Sequence, residues 1–117
     1  MLSQDQEKRP GATLPSAEPL ELLKLVDYAH GSVVSRALVQ SKPGSVTLFA
    51  LDAGQGLNEH TTPYDAHVIV LEGVASLTVG GKPLLARPGE IVRMPANVPH
   101  AVDAQEPFKM LLLMIRG

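Results

Sequence analysis

The sequence predicts an all-β fold of one domain, a sandwich or a barrel, on three observations. From Gly31 onward, short apolar runs are separated by turn signals such as "KPG", "GGKP" and "RPGE" at intervals of about eight to twelve residues, as in such folds. The ten prolines are too many for a helical protein of this length and lie mostly outside the runs. In "LTVGGKPLL", residues 77–85, Gly80-Gly81 supplies the positive φ of a two-residue hairpin turn.

The N-terminal part of the chain differs from the rest. Residues 1–19 are polar, contain three prolines and show no apolar periodicity, which predicts an arm outside the core. Residues 20–117 then form the predicted barrel domain. The segment Leu20–Tyr28, "LELLKLVDY", is compatible with two helical turns or with a strand, and it is too short for periodicity to decide.

The C-terminal run "FKMLLLMI" is apolar on both faces of a strand. Alternation places the even-numbered residues from Phe108 to Met114 on one face, and Leu111, Leu113 and Ile115 on the other. A strand of this kind is covered on both sides. One cover is the domain interior. The other is predicted to be a second subunit, because a bare face would expose a large apolar patch. The expected state is a homodimer.

Composition excludes several classes of function. With no cysteine, the chain has no disulfide, no thiolate metal site and no cysteine nucleophile. The net charge of -2 gives no reason to expect nucleic acid or an anionic membrane as a partner. The N-terminus lacks the apolar stretch of a secretory signal, and the longest strongly apolar run, Met110–Ile115, is too short to span a bilayer. A cytoplasmic location is the default expectation.

Two spaced glycine and histidine motifs follow one another along the chain. In the first, five residues separate Gly54 from His60, and Gly73 closes the stretch. In the second, "PGEIVRMPANVPHA" places a glycine, a proline and His100 in fixed spacing. Over residues 42–115 this pattern resembles the cupin superfamily, and within it the small single-domain bacterial cupins of the conserved-barrel, RmlC-like type. The resemblance implies a cupin jelly-roll β-barrel, a scaffold that hosts many unrelated activities.

The resemblance also implies a site for a divalent metal ion. Cupins bind such an ion through two histidines and a glutamate of the first motif and a histidine of the second. His60 and His100 match the first and last of these ligands. Thr62 takes the position of the second histidine, and Ala66 takes that of the glutamate. The metal site is therefore predicted to be degraded, with one divalent ion (Zn, Ni, Fe or Mn) held weakly by His60 and His100, or with no cofactor.

Side-chain alternation on a regular strand assigns these residues to faces. Residues 60, 62 and 66 share one face and line the cavity, whereas His67 points outward. A bulge near "TPYD" reverses that assignment and makes His67 a third metal ligand. The sequence leaves both arrangements open. In either case, the motif spacing predicts that the rings of His60 and His100 converge inside the barrel.

The predicted ligand site is a small cavity with a mostly apolar wall. His60, Thr62 and His100 supply its polar end, Tyr64 lies near its mouth, and Met94 belongs to the wall. The rest of the expected wall is apolar: Val68, Val70, Leu77, Val92 and Met110. The favoured function is a small-molecule-binding or sensing barrel. The alternative is a metal-dependent dioxygenase, isomerase or decarboxylase acting on a small organic acid, sugar or aromatic, so the sequence leaves open whether the protein is an enzyme.

Overall fold

The structure, a computed structural model, describes residues 14–116, so the predicted arm lies outside the described residues up to position 13. Within this range the chain forms one short 3-10 helix (Leu22–Lys24) and nine strands. The strands are β1 (Val33–Gln40), β2 (Gly44–Leu51), β3 (Gly56–His60), β4 (Tyr64–Glu72), β5 (Ala75–Val79), β6 (Lys82–Ala86), β7 (Ile91–Met94), β8 (His100–Asp103) and β9 (Phe108–Arg116). Among residues 14–116, no helix is long and apolar enough to cross a membrane.

The described strands form two antiparallel sheets whose inner faces pack together. One sheet contains five strands in the order β1-β2-β9-β4-β7, and the other contains four in the order β3-β8-β5-β6. Strands distant in sequence are neighbours in space, as the pairs β2–β9 and β3–β8 show. The all-β prediction is confirmed, and the two sheets form the jelly roll that the motifs imply.

The core between the sheets follows from strand alternation. In β4 the buried residues Ala66, Val68 and Val70 alternate with half-buried ones. These inward residues belong to one cluster with Leu77 and Val102 of the opposite sheet. Because apolar burial contributes roughly 25 cal/mol per Å², this shared cluster is the main favourable term that holds the two sheets together.

The hairpin between β5 and β6 has the turn that its sequence predicts. Gly80 and Gly81 have φ angles of 57° and 79°, and Val79 pairs with Lys82 across them. Positive φ at both central residues is the mark of a type I′ turn, whose twist matches that of the flanking strands. The prediction of a two-residue hairpin is confirmed.

The outer face of the five-stranded sheet is partly covered by the chain's own N-terminal segment. Val26 is buried there in a second core with Leu38, Leu48 and Ala50, and Leu111 of β9 packs against it. The prediction that β9 is covered on both sides is therefore met in part within one chain. This corrects the expectation that a second subunit supplies the whole outer cover.

The segment Leu20–Tyr28 is neither two helical turns nor a strand, because it adds only the single 3-10 turn to the fold. Side chains of the sheet fasten it instead. The Lys109 ammonium donates a hydrogen bond to the Leu23 carbonyl at 2.8 Å and lies 5.1 Å from the centroid of the Tyr28 ring. The Tyr28 hydroxyl donates to the Glu72 carboxylate at 2.7 Å. Burial, followed by this hydrogen bond, raises the pKa of Tyr28.

Candidate functional site

The centre of the candidate site is a pair of histidines on neighbouring strands. His60, the last residue of β3, and His100, the first residue of β8, are register partners in the four-stranded sheet. Register partners project from the same face of a sheet. The two ring centroids are 4.5 Å apart in a T-shaped arrangement, with an interplanar angle of 69°. The two rings thus converge as the motif spacing predicts, and they do so as neighbours within one sheet.

The backbone orients both rings in the same way. Nδ1 of His60 lies 2.8 Å from the Asn58 carbonyl, and Nδ1 of His100 lies 3.2 Å from the Val98 carbonyl. A carbonyl oxygen accepts hydrogen bonds but cannot donate them, so each Nδ1 carries a proton in these contacts. In a neutral ring, Nε2 is then the nitrogen with a free lone pair. The pair therefore offers two acceptor nitrogens to a ligand or a cation.

The two histidines differ in their exposure to water. His100 is 4% exposed, whereas His60 is an exposed residue. Burial, and to a smaller degree the charge of His60, lowers the pKa of His100 below its ordinary value, and the bond to Val98 opposes this shift. Since a histidine with a lowered pKa is neutral at pH 7, the acceptor form of His100 predominates there.

A cavity of about 460 Å³ opens between the two sheets beside this pair. Its wall is mostly apolar, and among the described residues the two histidines are the titratable side chains that line it. Met94 and Met110 lie in the wall as predicted, and Ala66 also lines it. Ligand pockets in proteins have volumes of about 300–1,000 Å³. The cavity is therefore large enough for a small organic molecule.

Several of the wall residues are not among those that the sequence predicts. Met114 lies on the inward face of β9, so alternation already contained that signal. Phe49 reaches the wall as the β2 partner of Met110, a pairing between distant parts of the chain that leaves no local signal. Leu57 and His60 both line the cavity although three residues apart, because the β3–β8 ladder shifts register between them.

Four residues expected in the wall pack elsewhere. Val68, Val70 and Leu77 are fully buried in the core between the sheets and do not line the cavity. Val92 is half-buried and packs against the same core. Side chains fill the interior at this level of the barrel, and the open volume lies beside β3 instead.

Thr62 and Tyr64 also lie outside the cavity wall. Because β3 ends at His60 and β4 begins at Tyr64, Thr62 belongs to a connection, where strand alternation does not hold. The Thr62 carbonyl accepts a hydrogen bond from the Asn97 N–H at 2.8 Å, and its hydroxyl accepts one from the Tyr64 N–H at 3.3 Å. The Tyr64 hydroxyl donates to the Lys42 carbonyl at 3.4 Å. Ligand-binding roles for Thr62 and Tyr64 stay predictions that the cavity lining does not support.

His67 lies on the outer face of the five-stranded sheet. Its register partners are Arg93 of β7 and Leu113 of β9. Pairing of β4 with β9 runs without a register shift over residues 64–70, so no bulge at "TPYD" turns His67 inward. The parity prediction is confirmed. The sheet separates His67 from the histidine pair, so this residue is not placed to share a metal ion with them.

The donor set does not fit the divalent metal site that the motifs imply. Among residues 14–116, no group of three or more His, Cys, Asp or Glu side chains is arranged to hold a metal ion. His60 and His100 supply two imidazole nitrogens, and Ala66 supplies a methyl group where the motif has a carboxylate. Catalytic zinc sites use three protein ligands. The pair falls short of that number, so no reaction step is assigned to a divalent ion here.

Known structures resemble this fold closely. A conserved protein of unknown function from Streptococcus pyogenes has 36% sequence identity and a TM-score of 0.85, with 89% of this chain and 91% of that chain covered. A cupin 2 conserved barrel domain protein from Leptotrichia buccalis has 39% identity and a TM-score of 0.80, over 82% of this chain and 47% of that one. A cupin superfamily protein from Desulfitobacterium hafniense has 28% identity and a TM-score of 0.85, over 93% of this chain and 100% of that one.

Two further comparisons concern curated proteins and protein families. A search of curated proteins found no match. A family model described as a cupin domain matches residues 47–116, which include both motifs, the histidine pair and most of the barrel. With the jelly roll, the motif spacing and these matches together, the chain belongs to the cupin family.

Proposed function

We propose that this cupin binds a compact, mostly apolar small molecule that donates a hydrogen bond, such as an alcohol or a phenol, to His60 and His100. One observation carries the proposal. The two histidines, held in a fixed orientation by backbone carbonyls, are the titratable groups of a largely apolar cavity of about 460 Å³ in the described part of the chain. Such a cavity with a few convergent polar groups is the usual composition of a small-molecule site.

The protonation state of the pair selects the ligand chemistry. With Nδ1 donating to a carbonyl, the neutral ring of His100 presents a lone pair at Nε2, and burial keeps this ring neutral. A hydroxyl group can donate to that lone pair, whereas a carboxylate can only accept. The described wall contains no lysine or arginine that would balance an anion. The site at neutral pH therefore favours a neutral donor over an organic acid.

We expect phenol to bind the wild-type protein about two- to tenfold more tightly than toluene, which has a similar shape but no hydroxyl. The gain comes from the hydrogen bond to the histidine pair. His100→Leu should remove the difference between the two probes, and His60→Leu should reduce it without disturbing the buried core. His30→Leu is the matched control, because the His30 side chain is fully exposed. Ligand-observed NMR titration at fixed pH measures the affinities.

The pH dependence of phenol binding checks the same assignment. Protonation turns Nε2 from an acceptor into a donor, so phenol affinity should fall as pH is lowered. Because the pKa of His100 is below the ordinary value of 6.5, the part of the fall due to this ring should lie below pH 6.5. Equal affinity of phenol and toluene, or tighter binding of benzoate than of phenol at neutral pH, would contradict the proposal.

A metal-dependent dioxygenase, isomerase or decarboxylase is the second candidate. One observation favours it, since His60 and His100 face each other at the positions of two cupin metal ligands. Metal analysis of protein purified without a histidine tag separates the two candidates. One equivalent of divalent metal per chain supports the enzyme, and its absence together with selective phenol binding supports the small-molecule binder.

For the assembly, we propose a homodimer formed by the part of the outer face of the five-stranded sheet that lies between Ile91 and Ile115. The N-terminal segment leaves Ile91 61% exposed and Ile115 51% exposed on this face. Ile69, the register partner of Ile91, and Leu113 lie between them. His67 sits in the same patch, and its Nδ1 is buried without a partner among the described residues. A second copy related by twofold symmetry would cover the apolar patch and approach this nitrogen.

We expect the wild type to have a dimer mass in light scattering at micromolar concentration, and Ile91→Glu to shift it to a monomer. A charge buried without a partner in an apolar interface is strongly unfavourable. Leu85→Glu is the matched control, because Leu85 is 50% exposed on the other sheet. A wild-type monomer, or equal dissociation by both variants, would count against this interface.

A further inference from the structure

A groove of about 250 Å³ adjoins the cavity near the end of β1 and the start of β2. Its described lining consists of Gln40, Ser41, Gly44, Ser45, Tyr64 and Met114. Met114 also lines the cavity of about 460 Å³ that contains the histidine pair. Among the residues described around the two spaces, Met114 is the one that both share. The groove and the cavity therefore lie on two sides of one side chain.

One row of register partners crosses the whole five-stranded sheet and joins the two spaces. From β1 to β7, the row consists of Gln40, Ser45, Met114, Ala66 and Met94. Register partners project from the same face of a sheet. The first two residues of the row line the groove, and the last two line the cavity. Met114 stands in the middle, where the row changes from polar to apolar.

The side chain of Met114 is the long group at this point of the row. Its neighbours on either side are Ser45 and Ala66, which are both short. Neighbouring strands are about 4.8 Å apart, so the backbones of these two neighbours are about 10 Å apart. A ligand that filled both the cavity and the groove would have to cross this interval. In the wild type, the half-buried Met114 side chain stands in its path.

The groove differs from the cavity in its hydrogen-bonding groups. Within residues 14–116, the side chains of Gln40 and Ser45 make no hydrogen bond to another residue. The Tyr64 hydroxyl donates to the Lys42 carbonyl at 3.4 Å, and its oxygen can still accept a hydrogen bond. The described lining contains no charged side chain. These groups suit a neutral polar group, such as a second hydroxyl on a ligand.

We propose that the cavity and the groove are two halves of one elongated ligand site, and that Met114 is the partition that sets the length of the ligand. The inference rests on the proposed binding of a hydroxyl donor to His60 and His100, and it adds a residue that determines specificity. The wild type accepts a compact donor such as phenol. Without the partition, the site takes a longer phenol whose polar tail reaches Gln40, Ser45 and Tyr64 in the groove.

The test uses 4-(3-hydroxypropyl)phenol, a phenol with a short chain that ends in a hydroxyl group. We expect Met114→Ala to bind this compound about tenfold more tightly than the wild type does, because the variant removes the side chain that a longer ligand would overpack. In the variant, this compound should also bind about two- to tenfold more tightly than 4-butylphenol. The butyl chain has the same length but makes no hydrogen bond in the groove. Ligand-observed NMR titration measures the affinities.

Met110→Ala is the matched control, because Met110 lines the cavity but not the groove. Its register partners are Phe49 and Val70, so it belongs to a different row of the sheet. This variant creates apolar space alone and should not favour the hydroxypropyl compound over 4-butylphenol. Adding Ser45→Leu to Met114→Ala should fill the groove and remove the gain for the hydroxypropyl compound.

Circular dichroism checks that the variants are folded, and Met114→Val, a milder truncation, should show a smaller gain in the same direction. The inference is overturned if the wild type binds the hydroxypropyl compound as tightly as the truncated variants do. It is also overturned if Met110→Ala shows the same preference, or if Ser45→Leu leaves the gain intact. Equal binding of phenol and toluene to the wild type would instead contradict the role of the histidines, because the gain from Met114→Ala compares two proteins with the same compound.

Discussion

Replacing Gly73 by alanine should destabilise the protein more than any other single substitution of a motif glycine. Gly73 has φ +75 and lies between β4 of one sheet and β5 of the other. A Cβ atom there would lie 2.4 Å from the Pro107 carbonyl oxygen and 2.7 Å from the Phe108 Cβ. The left-handed backbone costs alanine about 1–2 kcal/mol, and overpacking against a buried residue adds about 1–3 kcal/mol. We therefore expect a loss of roughly 3 kcal/mol or more.

Gly54→Ala is the matched control for backbone strain without a collision. Gly54 has φ +83, and a Cβ atom there would meet no atom within 4 Å. The loss should then be about 1–2 kcal/mol, from the backbone alone. Urea denaturation of the wild type and both variants measures the free energy of unfolding. Similar losses in the two variants would show that close approach of Gly73 to β9 does not matter.

Ala66→Glu should raise the affinity for Zn(II) by about 10–100-fold, by adding a third ligand to the histidine pair. Ala66 lines the cavity, so a longer side chain at this position extends into open space beside the pair. Without metal, the buried carboxyl group should lower the stability of the fold and have a raised pKa. Saturating Zn(II) should restore stability, by about 2.7 kcal/mol at a concentration 100 times the dissociation constant.

Thr62→His is the matched control for this gain. The motif assigns a histidine ligand to position 62, but Thr62 lies in the connection between β3 and β4 and outside the cavity wall. A histidine at this position should therefore leave Zn(II) affinity unchanged. Isothermal titration calorimetry on the wild type and the two variants gives the comparison. A gain from Thr62→His as large as that from Ala66→Glu would mean that the connection brings residue 62 into the site.

Local features of the sequence determined the fold class, and the resemblance to the family determined the position of the histidine pair. A hairpin turn depends on two adjacent residues, so Gly80-Gly81 could be interpreted without any knowledge of the rest of the chain. Strand alternation is equally local, and it correctly placed His67 on the outer face. Motif spacing brought His60 and His100 together because the family fold fixes which strands carry them.

Tertiary structure alone decided several of the other residues that surround this pair. Leu57 lines the cavity because of a register shift in the β3–β8 ladder, and a register shift is defined by the partner strand. Thr62 lies outside the cavity wall because β3 ends before it, at His60. The backbone hydrogen bond from the Asn97 N–H to the Thr62 carbonyl holds this connection in place. The row of Met94, Ala66 and Met114 joins three strands that are separated in sequence. Such a row has no local signature, because pairing between distant strands depends on packing of the whole core.

The same distinction applies to the outer face of β9. The sequence determined that Leu111, Leu113 and Ile115 need a cover, because an apolar strand face in water is unfavourable. It did not determine what the cover is, since the hydrophobic effect is not directional and accepts any apolar surface of suitable shape. In the folded chain, Val26 and its neighbours cover the part of this face around Leu111. Among the described residues, Ile115 stays 51% exposed.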